Sequence, residues 1–270
     1  MRSAVTISLV PEARGGPFVF WDDLAAACRK AKEFGFDAVE IFPRAIEDLK
    51  VGELKTILAE HDLQLAAMGT GAGWVAHKLR FTDPTAETRQ QACEFAAAII
   101  DFAAEFGAPA IVGSMQGRCD PGISREQSLQ WLAEAIEVLA GRAASRKTEL
   151  WIEPLNRYET NLLNSVDQSV DFLKNLRAQN VKLLCDLFHM NIEEADIAAS
   201  LRRAGDHVGH IHFADSNRRA VGWGHTPIEP IVGALRGIRY DRYISGEVLP
   251  LPDSDAAARQ TIASIKTWFG

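Results

Sequence analysis

Short apolar runs alternate with longer helix-like segments eight times along this chain, and few folds tolerate that pattern. The runs read as strands at 4–9, 37–42, 63–68, 109–112, 149–153, 181–186, 207–214 and 243–247. Helices are expected between and after them, at 21–34, 45–61, 85–106, 124–145, 165–179, 192–204, 228–236 and 255–268. Local signals agree. Asp22 and Asp23 stand in the first turn of the first helix and Gly35 follows its end. Ser124-Arg125-Glu126-Gln127 has the spacing of a capping box. Strict strand–helix alternation builds parallel sheet, and eight units close it into a (β/α)8 TIM barrel, an α/β fold. One domain over 1–270 is expected. An open doubly wound sheet is the runner-up; it rarely needs eight units, and no Gly-x-Gly-x-x-Gly follows the first strand.

Four of the apolar runs end in a polar residue. Glu153 closes Leu150-Trp151-Ile152, Asp186 closes the run from Val181, His212 the run from His207, and Glu247 the run from Tyr243. They are 33, 26 and 35 residues apart, each interval fitting one strand–helix–return unit of about 30 residues. Barrel chemistry sits at the C-terminal strand ends, where all four residues fall. Strand side chains alternate with period two, so Glu153 shares a face with Trp151, Asp186 with Leu184, His212 with His210 and Glu247 with Ser245. If that face points inward, the four converge on the barrel axis. Two Glu, one Asp and one His around a point suit a divalent cation that prefers oxygen and imidazole, such as Mn²⁺, Mg²⁺ or Co²⁺.

The bland reading competes at each position. A strand-end carboxylate is usually a helix cap or a solvated charge, and a lone His is usually a satisfied polar group. Four such residues on consecutive strands shift the balance, because buried ionisable groups need a counter-charge or a metal. His210, one layer below His212, reads as a support that holds the ligand shell in place. Glu40, on the second strand, reads the same way, as an acceptor behind the ligands. Gly69 to Gly73 reads as a flexible loop. Trp74 either covers a ligand or packs on a helix, while Arg118 and Asp120 read as solvated.

Composition narrows the partners. The chain has 270 residues, 47% hydrophobic, and a formal net charge of −7. An acidic surface argues against nucleic acid, which needs a basic footprint. Cys28, Cys93, Cys119 and Cys185 show no Cys-x-x-Cys spacing and read as free thiols of a reducing compartment. No apolar stretch approaches the ~20 residues of a membrane span, and the N-terminal run is too short for a signal peptide. A cytoplasmic protein with no membrane partner is expected.

Several stretches resemble the sugar isomerase/epimerase family with the xylose-isomerase-like barrel, and within it the ketose 3-epimerases of the D-tagatose and D-psicose type. They are Ile152-Glu153-Pro154-Leu155-Asn156-Arg157-Tyr158-Glu159-Thr160, Cys185 to Glu194, Gly209-His210-Ile211-His212 with Asn217-Arg218, and Gly246-Glu247. The resemblance implies one divalent metal, usually Mn²⁺, Mg²⁺ or Co²⁺, on Glu153, Asp186, His212 and Glu247. It implies Glu153 and Glu247 as the acid/base pair, His189 and Arg218 as substrate-binding groups, and Glu159 as a substrate-contacting carboxylate. It also implies a small sugar substrate and a homo-oligomer. Likeness is weaker in the first half, where Ser8-Leu9-Val10-Pro11-Glu12 replaces the family's usual aromatic stretch.

The expected function is therefore metal-dependent epimerisation or isomerisation of a small ketose or related hydroxy-carbonyl compound through an enediolate. The alternative is a lyase or dehydratase of a keto-sugar or keto-inositol, with His225 or Asp215 protonating the leaving group. A DNA-repair endonuclease would need more His ligands than the seven His here can readily supply. A non-catalytic sugar-binding barrel is a further alternative, separable by turnover.

Overall fold

The computed structural model describes residues 1–270. Eight parallel strands close into a barrel: β1 (Arg2–Ser8), β2 (Ala38–Phe42), β3 (Gln64–Gly69), β4 (Ala110–Val112), β5 (Leu150–Ile152), β6 (Val181–Asp186), β7 (Val208–His212) and β8 (Tyr243–Gly246). Each pairs with the next in sequence, and β8 returns to β1 with Arg2 opposite Tyr243 and Val5 opposite Gly246. Closure leaves no free edge for another chain to extend. The expected (β/α)8 fold is the observed one; the open sheet is not.

The inner face is set by the pleat. Ala67, Ile111, Trp151 and Leu184, from β3 to β6, meet in one interior layer. Below it, Ala4, Ala38, Ala66 and Tyr243 form a second cluster. Trp151 and Leu184 therefore point inward, and period two sends Glu153 and Asp186 inward above them. Outside the ring, helices bury a continuous core against the sheet, with Leu132, Ile136 and Ile99 fully enclosed.

Element boundaries differ from expectation where capping chemistry intervenes. The first helix starts at Leu24, not at 21, because Asp23 accepts the Ala26 N–H at 2.9 Å and caps it. Phe20–Trp21 instead makes two residues of strand against Ile7 and Ser8. The helix expected at 165–179 ends at Lys174. The helix expected at 192–204 is two helices, Leu187–Glu193 and Ile197–Ala204. Asp186 caps the first of these through Phe188 N–H at 2.7 Å, so a turn of helix begins where β6 stops. The expected flexible loop at Gly69–Gly73 is close-packed. Gly69 ends β3, and a Cβ there would lie 2.2 Å from the Phe42 ring; one on Gly73 would lie 2.3 Å from Met115 Sδ. These glycines permit close approach rather than motion.

Phe213 follows His212 directly. It is fully buried, and its ring meets Phe269 of the last helix edge-on at 5.5 Å. Phe213→Ala should lower the unfolding free energy in urea by about 3–5 kcal/mol. A loss under ~1 kcal/mol would show that the last helix is not held through this contact.

Candidate metal centre and substrate cavity

The four strand-end residues converge. One ligand atom from each of Glu153, Asp186, His212 and Glu247 lies within 4.8 Å of all the others, and all four residues are buried. His212 Nδ1 is 3.7 Å from Glu153 Oε1, 3.7 Å from Asp186 Oδ2 and 3.6 Å from Glu247 Oε2. Glu153 and Glu247 sit one residue past their strands, Asp186 and His212 on the last residue of theirs. Asp186 and His212 are also direct partners across the β6–β7 ladder.

Each side chain is oriented from behind. Asp186 spends Oδ1 on its helix cap, which leaves Oδ2 without a partner. His212 Nε2 donates to Glu40 Oε1 at 2.9 Å, which orients the ring so that Nδ1, without a hydrogen-bond partner, faces the other three. His210 Nε2 donates to the other oxygen of Glu40 at 2.7 Å, and the His210 ring stacks on Trp151. Glu40 lies in mid-strand and fully buried, placed as an acceptor behind the cluster. Glu153 rests against Gly113, where a Cβ would stand 2.4 Å from Oε2. Its backbone oxygen accepts from buried Gln116 at 3.0 Å.

The electrostatics ask for a cation. Burial, then the Glu247 and Asp186 carboxylates, push Glu153 well above the usual carboxylate range, against His212 and Arg218. Burial opposes charge on His212 as well, but Glu40 and Glu247 outweigh it and push the imidazole well up. Burial would raise Asp186 and Glu40 too, but the imidazoles beside them outweigh it and hold both below the ordinary range, His189 first for Asp186 and His212 first for Glu40. Three unpartnered buried atoms, Glu153 Oε1, Asp186 Oδ2 and His212 Nδ1, face one point. A hard divalent ion there would satisfy all three and relieve the repulsion among the carboxylates. The residues fit such an ion.

A cavity of about 360 Å³ opens over this point. Glu153 and Glu247 line it, with Glu159, His189 and Arg218; Asp186 and His212 do not. Asn156 Nδ2 donates to His189 Nδ1 at 2.7 Å, so the His189 proton sits on Nε2, aimed at the cluster 3.6 Å from Glu153 Oε1. Burial dominates in holding His189 below the usual imidazole range, so it is a neutral donor. Arg218 Nη2 donates to Glu247 Oε2 at 2.9 Å, Nη1 lies 3.4 Å from Glu159 Oε1, and the guanidinium stacks over Phe188. All the site residues read from the sequence thus gather in one place. The sequence reading missed Asn156, Gly113, Phe18 and Phe42. The two Phe rings, 4.6 Å apart, line the cavity. Asn156 had a signal, the conspicuous Pro-Leu-Asn run after Glu153; Gly113 had none.

Some expectations fall away. Trp74 does not line the cavity; it lies under Lys78 and Arg80. Arg118 is exposed as expected, but Asp120 is bidentate on Arg80 rather than free. The lyase alternative loses its acids. Asp215 is buried with both oxygens taken by backbone N–H groups, and neither it nor His225 lines the cavity.

Gly113→Ala should displace the Glu153 carboxylate and lower turnover by about 10²-fold. Circular dichroism should be unchanged. Wild-type turnover in this variant would show that Glu153 tolerates displacement.

Comparison with known proteins finds relatives along nearly the whole chain. A D-psicose 3-epimerase of Agrobacterium fabrum (strain C58) is 30% identical over 261 residues, 95% of this chain and 85% of that protein. A 3-dehydro-D-guloside 4-epimerase of Escherichia coli (strain K12) is 28% identical over 259 residues, 92% of this chain and 96% of that protein. The crystal structure of a D-allulose 3-epimerase from Methylomonas sp. superposes with a TM-score of 0.82 at 26% identity, covering 100% of this chain and 99% of that one. The profile of the xylose isomerase-like TIM barrel family matches residues 28–268. The chain belongs to the xylose isomerase-like TIM barrel family.

Proposed function

We propose that this chain is a metal-dependent sugar epimerase, an isomerase that inverts a carbon next to a carbonyl in a small ketose or related hydroxy-carbonyl compound. The observation that carries it is the pair Glu153 and Glu247. Both line the cavity, and both belong to the buried cluster. They approach from β5 and β8, three strands apart round the ring. Two carboxylates reaching one carbon from different sides can remove a proton on one face and return one on the other. The Cα–H bond breaks toward one carboxylate, a new bond forms from the other, and no atom is lost from the sugar.

Glu153, Asp186, His212 and Glu247 would hold one divalent ion, Mn²⁺ first, which would supply Lewis-acid stabilisation to the enediolate charge. Asp186 and His212, held from behind and away from the cavity, act only as fixed ligands. His189 donates from Nε2 to a substrate oxygen. Arg218 pairs with Glu247 and holds its carboxylate in place while offering its remaining N–H groups to the carbonyl end. Glu159 accepts from a substrate hydroxyl at the rim. The Phe18 and Phe42 rings exclude water from the far side. The reading extends to a cytoplasmic homo-oligomer, the compartment resting on the free thiols and the assembly on the family resemblance; no helix is long and apolar enough to cross a membrane.

Incubation with D-fructose, D-psicose, D-tagatose and L-ribulose in D₂O with Mn²⁺ should place deuterium on the carbon beside the carbonyl with product mass otherwise conserved. Loss of water or of an aglycone would favour a lyase, and no incorporation with any sugar or metal would sink the proposal. Glu247→Gln should reduce exchange by about 10²–10⁴-fold.

The Glu40 clamp generates a separate expectation. Glu40→Gln should weaken Mn²⁺ binding about 10–100-fold in a calorimetric titration, since His212 loses the carboxylate that orients it. Unchanged affinity would show that β7 alone orients His212.

A further inference from the structure

Arg218 holds an unusual backbone conformation. Its φ is +59°, in the left-handed region that non-glycine residues rarely adopt. Such strain persists only where surrounding contacts over-determine it. The contacts converge on Asp215, which no role described so far requires. Asp215 is 2% exposed. Its Oδ1 accepts from the backbone N–H of Ser216 at 2.8 Å and of Thr226 at 2.9 Å. Its Oδ2 accepts from Gly222 at 2.8 Å and Gly224 at 2.9 Å. One carboxylate thus gathers both limbs of the loop between β7 and the following helix. Its backbone completes the tie: Arg218 N–H donates to Asp215 O at 2.8 Å, and Asp215 N–H donates to Arg219 O at 2.9 Å. On its other side, Arg218 O accepts from Leu249 N–H at 2.7 Å, two residues beyond Glu247.

The loop sequence is shaped to this carboxylate. Gly222 has φ +100°, and a Cβ on Gly224 would lie 2.3 Å from Asp215 Oδ1. Burial pushes Asp215 up, but the four N–H groups outweigh it and hold the group below the ordinary range, so it accepts as an anion. Hydrogen bonds to a charged acceptor are the stronger kind.

We propose that Asp215 is a positioning residue for substrate binding. By gathering the loop around its carboxylate it fixes the backbone of Arg218 and so aims the guanidinium at Glu247 and the reacting end of the cavity. This rests on the proposed role of Arg218 toward the sugar. Asp215→Asn puts an amide –NH₂ where one oxygen accepts two N–H groups. The backbone there must move, and Arg218 moves with it. A misplacement of the order of an ångström costs about 10²-fold in rate.

Two measurements test it. In the full-length protein, hydrogen exchange should quicken in Asp215→Asn across 216–226 and stay unchanged in the barrel strands. In steady-state kinetics on whichever sugar the wild type turns over, Asp215→Asn should lower kcat/KM by about 10²-fold. The double variant with Arg218→Ala should then be no worse than Arg218→Ala alone, because both changes remove one function. A residue that merely stabilises the fold would add its loss to that of Arg218→Ala. If Asp215→Asn fails to fold, Gly224→Ala breaks the same ring with Asp215 present, and the same two results are expected. Additive losses, or wild-type exchange across 216–226, overturn the proposal. If the wild type turns over no sugar, the functional reading falls. The exchange measurement, and Arg218-dependent Mn²⁺ affinity in place of kcat/KM, then decide the role of Asp215: unaltered exchange or unaltered affinity rejects it.

Discussion

Four buried carboxylates at one end of the barrel are the constraint on which the rest of this structure depends. Glu40, Glu153, Asp186 and Glu247 are all buried within one end of the barrel. Isolated, each would cost several kcal/mol to ionise there. Two side-chain cations, the His212 imidazole and the Arg218 guanidinium, offset part of that cost. His189 is held neutral by its burial and adds a donor, not a charge. The shortfall is concentrated at Glu153, whose proton affinity rises most visibly. A dication held by Glu153, Asp186, His212 and Glu247 would offset that shortfall, a second reason why these residues fit one.

The barrel explains why these charges meet. A closed parallel sheet sends alternate residues inward, and every strand ends at the same rim. In most such barrels the interior is filled by branched apolar side chains. Here half of the residues in the two layers below the site are alanine, Ala4, Ala38, Ala66 and Ala67. The small side chains leave room for Trp151, His210 and Glu40 to occupy the axis. The polar column from His210 through Glu40 to His212 is thus a packing choice as well as an electrostatic one. It lets a charged site be supported from underneath instead of from flexible loops.

How far the site could be read from the sequence follows from the range of the contacts. Glu153, Asp186, His212 and Glu247 were legible because strand period, strand length and interval length are local properties, and the barrel converts them into a point. His189 and Arg218 were legible only through family resemblance. His189 depends on a helix that starts on Asp186 itself, hidden behind a longer expected helix further on. The Glu40–His210 pair joins residues 170 apart in sequence, and no local pattern fixes that distance. Gly113 is a close approach to Glu153, invisible without the fold. The loop after the third strand looked flexible because glycine has two uses, freedom and proximity, and only packing distinguishes them.

The two halves of the chain also divide the work. From β5 onward, strand ends and the turns beside them supply every charged group that lines the reacting end of the cavity, with Glu40 of β2 behind them. The first half supplies the far wall through Phe18, Phe42 and Val75, and the polar side chains around it are already engaged. Glu12 is paired with Arg44, Arg14 with Asp22, and Thr70 Oγ1 donates to Ile111 O at 2.7 Å. Chemistry can then be conserved in kind while the far wall varies, since nothing in it supports the carboxylates. Specificity is expected to be decided in the loops where this chain departs from the ketose epimerase pattern, beginning with Ser8 to Glu12 after the first strand, and catalysis at the strand ends from β5 onward.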